Sequence, residues 1–342
     1  MALEVSVVIP ARNEAAAIGG CVAALARQSV GAAALEVIVV AAGEDETAGA
    51  AEGAARGAGF GRFEVVRLER GNKNVALRIG CARAATATVI LLDADTEIAA
   101  DAVAELARAV RDGRAHAVHG AATPRYDTWV SRYWELNRQL VKDLRFDGTL
   151  SGEVIALRRE TLDACSLQAL FPELPGAKDD LALGIALRAH GYSIGYAPAA
   201  RATTLVPWTL GVLGTTMLRS RRATMHLVPL ADAARQAAWS AALVLGLPVA
   251  LVAWRWSAVL AVAALVPLAV HVALLVRGIA ALRRLGVGDH RRVLPSFVLL
   301  DLLGRAIKVG AFAERLLGRD ARRAYRGGRP EELRARRVGG AA

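Results

Sequence analysis

The chain has 342 residues, 54% of them hydrophobic, with a formal net charge of +11 and a mean hydropathy of +0.34. That length holds one large domain or two ordinary ones, and the hydropathy argues against a wholly soluble protein. Three cysteines, Cys21, Cys81 and Cys165, are scattered and odd in number, which excludes a disulfide scaffold and fits a reducing compartment; the histidines show no HxxxH or HExxH spacing, so zinc is not expected.

In chain order, VSVVIP (5–10) predicts a short β-branched strand, and Ala15–Gln28 predicts a helix. LEVIVVA (35–41) is a second strand, followed by an Ala-rich helical stretch; FEVVRL (63–68) is a third, Asn74–Ala85 a helix, and TVILLD (88–93) a fourth strand. Strands alternating with helices imply βαβ units, hence a parallel sheet with ligands at the carboxyl ends of its strands. The run before Pro10 is short and has no basic residue before it, so no signal peptide is expected and this portion is expected in the cytoplasm.

Beyond it, Asp101–Arg111 predicts a helix, HAVHG (116–120) a strand, 124–147 an amphipathic helix and GEVIAL (152–157) another strand. The aromatics Tyr126, Trp129, Tyr133 and Trp134 either pack on the sheet or meet an acceptor or a membrane surface.

Residues 203–235, with RSRR at 219–222, predict one or two interfacial helices. Residues 237–254 and 257–276 carry no charge and approach bilayer-spanning length, with only Arg255 and Trp256 between them. A transmembrane hairpin is the reading, with Trp239, Trp254 and Trp256 at its ends; two buried helices of a soluble core are the alternative. Residues 293–318, interrupted by Asp301, Arg305, Lys308 and Glu314, predict an in-plane amphipathic helix.

Charge is uneven: net +10 over 277–342 and +4 over 201–235, against −4 over 1–200. Positive charge flanks the hairpin, which places both flanks in the cytoplasm beside anionic lipids of the cell membrane. The basic tail has little aromatic interleaving, so nucleic acid is not an expected partner. The expected organisation is a cytoplasmic α/β domain (1–202), interfacial helices (203–236), a membrane hairpin (237–276) and a basic tail (277–342).

One stretch raises a chemical question. VILLDADTEI (89–98) ends a buried strand in Asp93 and Asp95, and carboxylates at such a place must be paired, hydrated or bound to a cation. Alone this DxD is weak, since Asp95 could cap the following helix. PARNE (10–14) follows the first strand, offering backbone amides and the side chains of Arg12 and Glu14 beside Pro10 and Ala11 to a nucleotide. GNKNVALRIG (71–80) puts Lys73 ahead of the helix leading to the DxD, LSG (150–152) opens a loop with Ser151 and Gly152, and KDDLALGIALRAHGY (178–192) places Asp179 and Asp180 ahead of a helix.

In this order the set resembles the membrane-bound branch of the family 2 glycosyltransferases, over roughly residues 4–235. The resemblance implies a GT-A fold (Rossmann-like, mostly parallel) and inverting transfer from a nucleotide sugar. It matches Asp93 and Asp95 to the DxD that holds Mg²⁺ or Mn²⁺ against the donor diphosphate, and Asp180 to the catalytic base. Pro10, Ala11, Arg12, Glu14 and Lys73 fall on the donor side, and Ser151, Gly152, Asp179, Arg219, Arg221 and Arg222 on the acceptor or diphosphate side.

Three positions depart from the family pattern. Ala41 and Ala42 stand where acidic residues usually contact the nucleoside, so the base is not specified. The QxxRW of processive synthases is missing: aligned on Arg222, the chain has Arg219 and Ala223 at its ends. Asp179 replaces a glutamate. Single transfer to a lipid hydroxyl is therefore expected, with polysaccharide synthesis, nucleotidyl transfer and a degenerate membrane scaffold as alternatives.

Overall fold

The computed structural model describes residues 3–69, 72–113, 115–144, 146–173, 178–286 and 293–318. The basic tail from 319 onward lies outside the described residues. In chain order the elements are β1 (Val5–Arg12), α1 (Ala15–Ala26), β2 (Leu35–Ala42), α2 (Thr47–Ala55), β3 (Arg62–Leu68), α3 (Lys73–Arg83), β4 (Thr88–Leu92), β5 (Glu97–Ile98), α4 (Ala102–Arg111), β6 (Ala117–Pro124) and α5 (Trp129–Lys142). They continue with β7 (Val154–Arg158), α6 (Arg159–Ala164), α7 (Leu167–Leu170), α8 (Asp179–Ala189), β8 (Ile194–Thr204), α9 (Leu210–Leu227), α10 (Leu230–Ala253), α11 (Ala258–Arg284) and α12 (Leu294–Leu316).

Two compact units result, one within Met1–Arg125 and Gly148–Leu205, the other within Tyr126–Asp147 and Val206–Pro330. The first is an eight-stranded sheet of order β3-β2-β1-β4-β7-β6-β8-β5. β3, β2, β1 and β4 run parallel, as the alternation of strands and helices predicts, so their carboxyl ends share one edge. β7 is antiparallel to both β4 and β6, while β6 and β8 are parallel. β8, IGYAPAARATT, gives no strand signal in the sequence because Ala, Gly and Pro replace the usual β-branched residues; pairing along β6 holds it in place.

Side-chain alternation along β1 feeds two cores. Val7 and Ile9 pack with Ile18, Val22, Leu25 and Leu106 on one face; Val8 packs with Leu77, Phe171, Leu183 and Leu187 on the other. A Cβ at Gly80 of α3 would lie 2.2 Å from Val8 Cγ1, so glycine there lets α3 lie directly on the strand. Buried Glu36 of β2 accepts from Ser6 Oγ (2.5 Å), Arg62 Nη1 (2.6 Å) and the Ala85 amide (2.7 Å), which satisfies a charge that would otherwise be costly.

The second unit is helical. α5 belongs to it: Tyr133 meets Phe297 of α12 at a ring-centroid distance of 4.9 Å, and Val130 and Leu136 join Leu213, Leu275 and Ile279. Tyr133 therefore packs among the helices of this unit. α9 ends before Pro229, and α10 begins at Leu230, seven residues ahead of the uncharged run, because LADAARQ is itself a good helix former.

α10 and α11 are long and apolar enough to cross a membrane. Their large side chains, among them Leu247, Leu251, Val252, Val259, Leu260 and Val262, are exposed, the opposite of a soluble core helix. α12, carrying Asp301, Arg305, Lys308 and Glu314, does not meet the same test.

Candidate active site

β4 delivers Asp93 to the shared strand-end edge. The Asp93 amide donates to the Glu153 carbonyl at 3.1 Å, and its own carbonyl accepts from the Thr96 amide at 3.0 Å, closing a tight turn. Asp95, 3% exposed, follows within that turn. It caps no helix: α4 starts at Ala102, with Asp101 in the preceding position. The capping alternative is thereby corrected, the intervening β5 being the physical reason.

α3 aims Lys73 at this turn. Asn72 caps the helix, its side chain accepting from the amides of Asn74 (3.0 Å) and Val75 (3.3 Å). The Lys73 ammonium then lies 2.7 Å from Asp93 Oδ1 and 2.7 Å from Asp179 Oδ2. Burial alone would lower the lysine pKa, but the carboxylates of Asp179 and Asp93 overcome it and hold it well above the ordinary value. Asp93 moves the other way for a carboxylate: burial pushes it up to about 7, opposed by Lys73 and reinforced by Asp179 and Asp95.

Asp179 and Asp180 form the first turn of α8, where the helix dipole favours negative charge. Asp180 Oδ1 accepts from the Leu181 amide at 2.8 Å, and Oδ2 is 3.9 Å from Lys178 Nζ. Gly152 backs the pair: a Cβ there would be 3.5 Å from Asp180 Cβ and 3.6 Å from Asp179 Oδ2. Pro10, Lys73, Asp93, Gly152, Phe171 and Asp179 thus line one cleft of about 10 Å³, about enough for one water. Ser151 precedes Gly152, half-buried.

Phe171, fully buried on the cleft wall, was not marked by the sequence. Its segment is tied to α3 by Asn74 Nδ2 donating to the Pro172 carbonyl at 2.7 Å.

The PARNE segment is built differently from the sequence expectation. Ala11 is a core residue, and Arg12 is exposed at the end of β1. The amides of Glu14 and Ala15 donate to Thr47 Oγ1 (2.7 Å) and Asp45 Oδ2 (3.0 Å), so side chains already take amides that the sequence offered to a nucleotide. Asn13 adopts φ 52°, and its Oδ1 accepts from the Glu44 amide at 3.0 Å. Gly43, φ 111°, permits that contact; a Cβ there would overlap Asn13 Oδ1.

A larger cavity of about 210 Å³ opens at the carboxyl ends of β2 and β3, lined by residues including Ala41, Ala42, Asp45, Thr47 and Arg67. The two alanines that depart from the family pattern make room here. Asp45 and Arg67 bring charges that no motif marks, Arg67 from the end of the third strand and Asp45 from the loop after the second.

Arg219, Arg221 and Arg222 belong to the second unit. Arg222 donates to both carboxylate oxygens of Glu314, at 2.7 and 2.6 Å; Arg219 is exposed and Arg221 half-buried.

Does the acidic site suit a divalent cation? Among the described residues no three His, Cys, Asp or Glu side chains converge to hold one unaided. Asp93, its ionisation opposed by burial and by two neighbouring carboxylates and favoured by Lys73, is a hard oxygen donor. That fits an ion bound by one or two carboxylates and completed by substrate oxygens.

Sequence-family comparison decides the class. The glycosyl transferase family 2 model matches residues 6–165, and the glycosyl transferase family group 2 model matches 88–282, more than half of the chain. The chain belongs to the family 2 glycosyltransferases. Among curated relatives, an N-acetylglucosaminyltransferase of Rhizobium leguminosarum bv. viciae is 30% identical over 240 residues, 65% of this chain and 56% of that protein. One from Mesorhizobium japonicum is 30% identical over 241 residues, with the same coverage. This family member therefore spans a little over half the length of the curated relatives it matches. Among solved structures, the mannosyltransferase PcManGT from Pyrobaculum calidifontis, in complex with GDP-Man and Mn²⁺, superposes with a TM-score of 0.59 at 18% identity, covering 94% of this chain and 89% of that one. The family 2 sheet and the GT-A class expected from the sequence are the fold observed.

Proposed function

We propose that the chain transfers a sugar from a nucleotide sugar to a hydroxyl of a membrane lipid or lipid-linked acceptor, with inversion, at the cytoplasmic leaflet. The observation that carries this reading is the convergence of Asp93 and Asp179 on one ammonium, with Asp180 beside them against Gly152.

In this reading Asp180 takes the acceptor proton as its oxygen bonds to the anomeric carbon. A carboxylate within hydrogen-bond reach is suited to that role. Asp179 and Lys73 fix the position of the helix that carries Asp180. Asp93 and Asp95 would hold Mg²⁺ or Mn²⁺, which when bound supplies positive charge against the departing diphosphate. The donor's nucleoside lies in the cavity at β2 and β3, with Arg12, Glu14 and Arg67 near it and Pro10 and Ala11 shaping the strand end. Ser151, Gly152, Arg219, Arg221 and Arg222 serve the acceptor or diphosphate side, Arg222 by holding α9 to α12.

Support for the donor class comes from the relatives. Two are named N-acetylglucosaminyltransferases, and the fold neighbour was solved with GDP-Man and Mn²⁺. The exposed apolar faces of α10 and α11 support a membrane-embedded hairpin that presents the acceptor from the bilayer. The domain plan follows: a cytoplasmic catalytic unit, interfacial helices, two spans and a basic tail at the anionic inner leaflet of the cell membrane.

The test is transfer of radiolabel into organic-extractable lipid from a panel of UDP- and GDP-sugars, with and without Mn²⁺. Label in extractable lipid with release of a nucleoside diphosphate is expected. Release of pyrophosphate, or label only in long polymer, would replace this reading with nucleotidyl transfer or polysaccharide synthesis.

A further inference from the structure

Helices α9 to α12 of the second unit enclose a polar cluster in which Arg221 is the one group given a role above. Asp301 of α12, 7% exposed, accepts through Oδ2 from Arg305 Nε at 2.6 Å and meets His271 Nε2 of α11 at 2.9 Å. Two helical turns on from Asp301, half-buried Lys308 donates to the neutral Gln236 Oε1 of α10 at 3.2 Å. Arg221 of α9 enters the same cluster, its Nη2 being 3.8 Å from where a Cβ at Gly304 would stand. Its charge bears, with that of Arg305, on both the Lys308 ammonium and the Tyr133 phenol.

The charges do not balance. Among the described residues Arg221 donates to no acceptor and Lys308 to no carboxylate, while the one carboxylate present is already shared by Arg305 and His271. Half-buried cations that face one another repel and are poorly hydrated. An oxyanion with several acceptor oxygens relieves both costs, and the planar guanidinium fork matches phosphate geometry. Gln236 immediately precedes the uncharged run 237–254, the level at which headgroups meet a spanning helix.

We infer that Arg221, Arg305 and Lys308 form a binding site for a phosphate group. The inference deepens the acceptor side of the proposed function and rests on it only for the source: a lipid headgroup in the bilayer or free phosphate from solution offers the same chemistry.

The experiment titrates the full chain, in neutral detergent, with dioctanoyl phosphatidate, dioctanoylglycerol or inorganic phosphate, following thermal stability and binding. Phosphatidate should bind the chain about tenfold more tightly than dioctanoylglycerol. Arg221→Gln and Lys308→Gln should each weaken phosphatidate binding by about tenfold, the scale of one lost charge-assisted contact. Arg235→Gln, which removes an exposed arginine of α10, should leave it unchanged, and Arg221→Lys should restore part of the loss. If inorganic phosphate shows the same pattern the source is free phosphate; if only phosphatidate does, it is a headgroup. Folded Arg221→Gln and Lys308→Gln chains with undiminished affinity, or equal binding of dioctanoylglycerol, would overturn the inference. Donor binding by the unaltered chain, measured separately by calorimetry, reads the first unit, so the transferase reading and this one fail independently.

Discussion

Asp93 and Asp179, far apart in the chain, share one ammonium group: Lys73 lies 2.7 Å from a carboxylate oxygen of each. The end of β4 and the start of α8 are thereby locked together before any ligand arrives.

Lys73→Met should therefore loosen the site. Two neighbouring carboxylates would lose their shared cation and repel each other, which should lower the melting temperature. Added Mn²⁺ should then raise the melting temperature more in Lys73→Met than in the unaltered chain, because the ion takes over the lost charge. An equal or smaller Mn²⁺-induced rise would show that lysine and metal do not compete for these oxygens.

Cation binding should depend on pH. Asp93, pushed up to about 7 mainly by burial, is protonated and a poor ligand at lower pH. Mn²⁺ affinity should rise as pH increases toward 7 and level off above it, by calorimetry at pH 5.5, 6.5 and 7.5. Asp93→Asn should flatten the profile; a persisting slope would locate the titrating ligand elsewhere.

Close packing under the site is also testable. Gly80→Ala would place a methyl 2.2 Å from Val8 Cγ1, and overpacking of this kind costs about 1–3 kcal/mol. A lower urea midpoint with unchanged slope is expected. A wild-type midpoint would mean that α3 can slide away from β1 at no cost.

The hairpin reading makes a topological prediction. Cys21, Cys81 and Cys165 are buried, so Arg255→Cys supplies an accessible thiol between the spans. In intact cells it should react with a membrane-impermeant maleimide added outside. Labelling only after lysis would place the turn on the cytoplasmic side.

Much of this was legible from local signals. β-branched runs punctuated by helices marked β1 to β4, and the Asp93–Asp95, Lys73 and Asp179–Asp180 motifs fell on the turn after β4 and on the first turns of α3 and α8. What escaped depended on long-range partners. β8 is a strand through pairing with β6, not through propensity; Phe171 is a cleft wall only because α7 and the residues after it fold against α3. α5 reads as a helix that could pack on the sheet, yet its Tyr133 is drawn to Phe297, far along the sequence. The amides after β1 look free in the sequence because their acceptors, Asp45 and Thr47, come from the next loop.

The most direct test of the central claim is the turnover of Asp180→Asn beside its affinity for the donor. Asparagine keeps the shape of the α8 turn but cannot accept the acceptor proton, so turnover should fall by about 10²–10⁴-fold while Mn²⁺-dependent donor binding persists. An Asp180→Asn chain that transfers sugar at the unaltered rate would contradict the account.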